Sequence, residues 1–156
     1  MTKECPDTIS TVIACLKDPS RNVRLAARDA LPKVVFIVGK SVLAAVTGLL
    51  THPYTNVRVA AVLALTGVAE KGDRNAIAAA IERIEDPKRT VQWAAVKTLS
   101  CIVIQGDQQT INSLIGRLTH HAPVRKAAIE ALARVANMDD PHAIRAVCTH
   151  LKDVGQ

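Results

Sequence analysis

Residues Leu50 to Glu70 read LTHPYTNVRVAAVLALTGVAE. An apolar helix end at Leu50 is followed by a Pro-containing turn, and a second helix opens at Val57-Arg58. The same plan occurs four times. Val23-Arg24, Val57-Arg58, Val91-Gln92 and Val124-Arg125 begin the second helices, with valine spacings of 34, 34 and 33 residues. Four positions on stand Ala27, Ala61, Ala95 and Ala128, and eight positions on stand Leu31, Leu65, Leu99 and Leu132. Leu16, Leu50, Ile84, Leu118 and Leu151 end the first helices at the same period. Self-similarity at this period marks a solenoid of helical hairpins, because each unit exposes an apolar face that is buried by stacking on its neighbours.

Composition narrows the function classes. The 156 residues carry a net charge of +6, which favours an anionic partner. Aromatic residues make up 2% of the chain (Phe36, Tyr54 and Trp93), too few for the stacking platforms that single-stranded nucleic-acid binders use. No apolar run reaches the length of a membrane span, and the first ten residues lack the pattern of a signal peptide. Cys5, Cys15, Cys101 and Cys148 form no CxxC pair, so reduced thiols in a cytoplasmic protein are expected.

Working outward from the quoted stretch, Asp7 to Lys17 is the first helix of repeat one, with Ile9, Val12, Ile13 and Leu16 in the i, i+3, i+4, i+7 stripe. The second runs from Arg21 to about Ile37. Pro32 lies inside it and removes a backbone donor, so a bend or an early end is expected between Arg28 and Lys33. Gly39-Lys40-Ser41 resets the chain, with Ser41 as the expected N-cap. Gly72-Asp73, Gly106-Asp107 and Met138-Asp139-Asp140-Pro141 each stop one helix and cap the next. The expected organisation is a single domain over residues 1–156. Its repeats span about 7–38, 41–72, 73–106 and 107–138, and a terminal helix spans 141–152. The tripeptide Leu151-Lys152-Asp153 repeats Leu16-Lys17-Asp18, so the terminal helix is either a cap or the first helix of a further repeat.

The unit Leu-x-Asp-Pro-x-x-x-Val-Arg-x-x-Ala-Ala-x-x-Ala-Leu resembles the HEAT repeat, in the short form of phycobilisome-lyase-type HEAT-like proteins, over nearly the whole chain. The resemblance implies an all-α, right-handed alpha-alpha superhelix of four hairpins plus a terminal helix. It also implies a polar ladder between repeats, built from the turn Asp and the Arg after Val. Asp18, Asp86, Arg24, Arg58 and Arg125 match that ladder, while His52, His120 and Gln92 depart from it.

Catalytic and cofactor chemistry finds little footing. The iron-binding relatives carry His-Glu pairs, which this chain lacks, and His120-His121 is the one adjacent histidine pair. No metal site or other cofactor is expected. No cysteine has a neighbouring base in sequence, and Gly39-Lys40-Ser41 lacks the leading glycine of a phosphate loop. The expected function is a non-catalytic protein-interaction module or scaffold. The alternatives are a HEAT-like enzyme of the bilin-lyase or DNA-glycosylase type, or a nucleic-acid binder using the basic surface.

The second helices say where a partner would sit. Counted from Val as zero, positions 2, 5, 6 and 9 face away from the repeat core. They are charged in repeats one and four (Arg28 and Asp29; Lys126 and Glu130) and apolar in the middle. An apolar centre inside a charged rim is how interface cores are built. Val59, Val62, Leu63, Trp93 and Val96, with Lys97, are therefore the expected contact surface on the concave face. The expected ligand is a protein segment or a second copy of the chain.

Overall fold

The structure, a computed structural model, describes residues 6–38 and 40–151. Cys5, Gly39, Lys152 and Asp153 lie outside the described residues. Every regular element among those residues is helical: α1 (Pro6–Leu16), α2 (Arg21–Val38), α3 (Ser41–Gly48), α4 (Thr55–Val68), α5 (Arg74–Arg83), α6 (Arg89–Ile102), α7 (Gln108–Gly116), a 3-10 turn (Arg117–Thr119), α8 (Ala122–Val135) and α9 (Pro141–Leu151). They form two compact units, residues 1–70 and 71–156, divided between the second and third repeats.

In the first unit α1 pairs with α2 and α3 with α4, and the hairpins stack through α2 and α4. Leu16, Leu31, Val46 and Leu65 are fully buried, so the repeat positions for leucine form the core. Val23 departs from its counterparts. It is 36% exposed, whereas Val57, Val91 and Val124 are at most 3% exposed.

Pro32 does not end α2, which runs on to Val38. The expected early end is thus corrected, and packing supplies the reason. The Pro32 ring lies against Gly67 of α4, where an added Cβ would come within 2.9 Å of the proline Cγ. Seating the ring in that gap holds the helix together across the missing hydrogen bond. Ser41 is also corrected. It is the first residue of α3, and the cap position falls on Lys40, whose backbone is already helical and whose side chain makes no capping bond.

In the second unit the glycine and aspartate punctuation has a repeated geometry. Gly72 and Gly106 have φ of 87° and 81°, a region that glycine enters without steric cost. The Gly72 amide donates to the Ile102 carbonyl at 2.6 Å and the Gly106 amide to the Val135 carbonyl at 2.8 Å. Each glycine thereby closes the start of a hairpin onto the end of its own second helix. The next residue caps the first helix. Asp73 accepts from the amides of Asn75 and Ala76, and Asp107 accepts from that of Thr110. Asp140 does the same for α9, accepting from His142 and Ala143.

The arginine after valine ties its own turn. Arg24 donates to the carbonyls of Asp18 and Pro19, Arg58 to those of His52 and Pro53, and Arg125 to that of His120. Gln92 takes the same place, donating to the Asp86 carbonyl at 2.8 Å, so it substitutes for the arginine it replaces. Links one period apart come from other residues. Arg74 grips Asp107, and Gln108 donates to Asp140 at 2.9 Å.

Candidate functional site

Helix α6 starts at Arg89 after an extended Lys88, and the repeat spacing turns Val91, Ala94, Ala95 and Leu99 inward. All four are fully buried. Trp93 lies between two inward positions on a helix of 3.6 residues per turn, so its indole projects from the opposite side and is 53% exposed. Lys97, one turn further, brings its ammonium to 5.2 Å from the indole centroid. A contact of this kind is worth about 0.5–1 kcal/mol at an exposed site, and it holds the ring with one edge open.

Helix α8 packs beside α6 in the same unit, and an open groove of about 310 Å³ runs between them. Arg89, Thr90 and Trp93 line one wall, and Pro123, Lys126 and Glu130 line the other. Lys126 lies 3.8 Å from Glu130, so one basic charge is offset while Arg89 and Lys97 remain to set a positive potential around the indole. Thr90 and Pro123 belong to the first turns of their helices, whose dipoles add to that potential.

The six expected contact residues fall into two groups. Val59, Val62 and Leu63 belong to the first unit, where Val59 and Leu63 are half-buried and Val62 is fully buried. Trp93, Val96 and Lys97 belong to the second, where Trp93 and Lys97 are exposed and Val96 is 2% exposed. Val62 and Val96 are therefore not available to a partner. Both occupy position 5, which had been assigned to the outer face. Second helices packed side by side also cover the flank of that face, and position 5 lies on the flank. Arg89 and Thr90 were not anticipated. The signal was present, since Arg89 stands four residues before Trp93 and shares its side of the helix.

Among the described residues no three His, Cys, Asp or Glu side chains converge as metal ligands. Cys15, Cys101 and Cys148 are free thiols. No described helix is long and apolar enough to cross a membrane.

The profile of the HEAT-repeat family matches residues 42–133, well over half of the chain. No curated protein matches the sequence. Among solved structures, the fold is similar to a chain of the complex of CpcE and CpcF of phycocyanin lyase from Nostoc sp. PCC7120. The likeness has a TM-score of 0.65 and 18% identity, and covers 94% of this chain and 88% of that one. At that identity it establishes the fold, an all-α superhelix of HEAT-type hairpins. It also corrects the expectation of a chain outside enzymes. The same fold serves in a lyase, so the absence of a legible triad or metal motif does not exclude catalysis.

Proposed function

We propose, since this chain belongs to the HEAT-repeat family, that it is a repeat scaffold which binds an acidic protein segment in the groove between α6 and α8. The observation that carries this reading is the half-exposed Trp93 beneath the Lys97 ammonium, with Arg89 on the same wall. Tryptophan is enriched among residues that dominate binding energy, and basic groups beside it complement an acidic ligand. A segment placing an apolar side chain on the indole and carboxylates near Arg89 and Lys97 satisfies each of these groups.

Titrating the protein with a fluorescent peptide rich in Asp and Glu and bearing one Leu, against a Lys/Arg counterpart, tests the idea. The acidic peptide should bind and the basic one should not. Trp93→Ala should weaken binding by about 2 kcal/mol or more, roughly thirtyfold, and leave the far-UV spectrum unchanged. Equal binding of both peptides, or indifference to Trp93→Ala, sinks it. Duplex DNA binding with a steep dependence on salt would move the assignment to nucleic acid.

A second reading is supported by the likeness to the phycocyanin lyase complex. On it, the same groove holds a bilin, with the propionates on Arg89 and Lys97 and the tetrapyrrole against Trp93. Adding free bilin should then quench Trp93 and shift the red absorption band. A bilin spectrum unchanged by the protein removes this reading.

A further inference from the structure

The charges that line the α6–α8 groove follow an order along it. Counted from the valine of each second helix, Arg89 stands at position −2 of α6, while Lys126 and Glu130 stand at positions 2 and 6 of α8. All three line the groove. Position −1 contributes Thr90 and Pro123, and position 2 contributes Trp93 and Lys126, so equal positions of the two helices face each other across it. The Lys97 ammonium leans back over the indole and belongs to that same level. The end at the helix starts is therefore basic, carrying Arg89 and the positive poles of both helices. The indole follows, and Glu130 stands at the far end. Eight helical positions separate Arg89 from Glu130, about 12 Å along the axis. Glu130 is only loosely engaged. Its pair with Lys126 has the lysine first, the weaker order at this spacing, and the two side chains are 63% and 47% exposed for the lysine and glutamate. A ligand can exchange that pair for a carboxylate on Lys126 and a cation on Glu130.

We infer that Glu130 is a specificity-determining residue that fixes how the bound segment lies. The segment places a carboxylate against Arg89, an apolar side chain on Trp93, and a lysine or arginine against Glu130. This inference rests on the reading of the groove as a site for an acidic protein segment, and it adds one basic residue to that segment's chemistry. An extended chain advances about 3.3 Å per residue, so a separation of about 12 Å puts the basic residue about four positions from the acidic one. The order of charges is then recognised as well as their sum. A segment with a carboxylate at the far end meets Glu130 with like charge, and such a juxtaposition is how an interface rejects a wrong partner.

A charge exchange between protein and peptide tests it. The probes are fluorescent peptides with capped termini and the core Asp-Glu-Leu-Ala-Lys or Asp-Glu-Leu-Ala-Glu, each made in both chain directions and titrated at one ionic strength into the 156-residue chain. In the direction that binds, the lysine peptide should bind more tightly than its glutamate counterpart by about threefold or more. Glu130→Gln should erase that preference, and Glu130→Lys should invert it. Glu130 is exposed on α8, so both variants should keep the native far-UV spectrum and urea midpoint. A preference for the lysine peptide that survives Glu130→Lys overturns the inference. Equal binding of the two peptides by the native chain, weakened by Trp93→Ala, also overturns it and leaves the groove as the site of an acidic segment. Binding of neither peptide overturns both.

Discussion

Arg74 and Asp107 are joined by two hydrogen bonds of 2.7 Å each, from the two terminal guanidinium nitrogens to the two carboxylate oxygens, across one repeat period. The same carboxylate caps α7 through the Thr110 amide and accepts from the Thr110 hydroxyl. One side chain thus starts a helix and ties two hairpins of the second unit together. The Arg74 guanidinium, followed by the bonds from Thr110, holds the Asp107 carboxyl well below its ordinary value of 3.8. Asp140, receiving a bond from Gln108 and the amides of α9, is lowered as well.

Acid stability should report this arrangement. A carboxyl with a folded pKa below its unfolded value contributes fully above the unfolded value near 3.8, and the contribution is lost as pH falls through the folded one. The urea midpoint of the native chain should therefore fall on acidification from about pH 5 downward. Asp107→Asn keeps a capping acceptor and removes the titration, so its midpoint should fall less over the same range. Parallel curves would refute the assignment. At neutral pH, Asp107→Ala should cost about 1–2 kcal/mol through the lost cap. Arg74→Ala should cost less than Asp107→Ala, because the arginine is half-exposed and its ion pair is screened.

Gly67 and Pro32 form a steric pair. Gly67→Ala places a methyl within 2.9 Å of the proline ring and should destabilise the first unit by about 1–3 kcal/mol. In a Pro32→Ala background the obstacle is gone, so the same substitution should be close to neutral. A double-mutant cycle in chemical denaturation measures the coupling, and an additive cycle would show that the two residues do not constrain each other.

Equivalent positions should not have equivalent weight. Val91 is fully buried and Val23 is 36% exposed. Val91→Ala should lower stability by about 2 kcal/mol, and Val23→Ala by well under about 1 kcal/mol. Equal losses in thermal or urea unfolding would contradict the packing described for the first repeat.

Trp93 is the one tryptophan, so its fluorescence reads the groove directly. A half-exposed indole beside Lys97 and Arg89 should be quenched in the folded state, more strongly by iodide than by caesium because the local potential is positive. Lys97→Glu should narrow or reverse that difference. An indole shielded from both quenchers until unfolding would remove it from any binding surface.

The hairpin period, the leucines of the core, the aspartate caps and the family were all legible in the residues. They follow from local rules: a 3.6-residue period, a carboxylate that satisfies free amides, and a glycine that accepts positive φ. Trp93 and Lys97 could be singled out for the same reason, being two outward positions one turn apart. What lies beside an element could not be read that way. Position 5 of the second helices looks outward on a single helix, and stacking buries it, so Val62 and Val96 leave the surface. Pro32 looks like a helix breaker until a glycine 35 positions later in the sequence makes room for its ring. The groove at Trp93 likewise exists through the packing of neighbouring helices. The chain's local pattern determined its elements and their repeat. Tertiary packing decided which of their faces remain open, because burial depends on the neighbouring helices as well as on the residue.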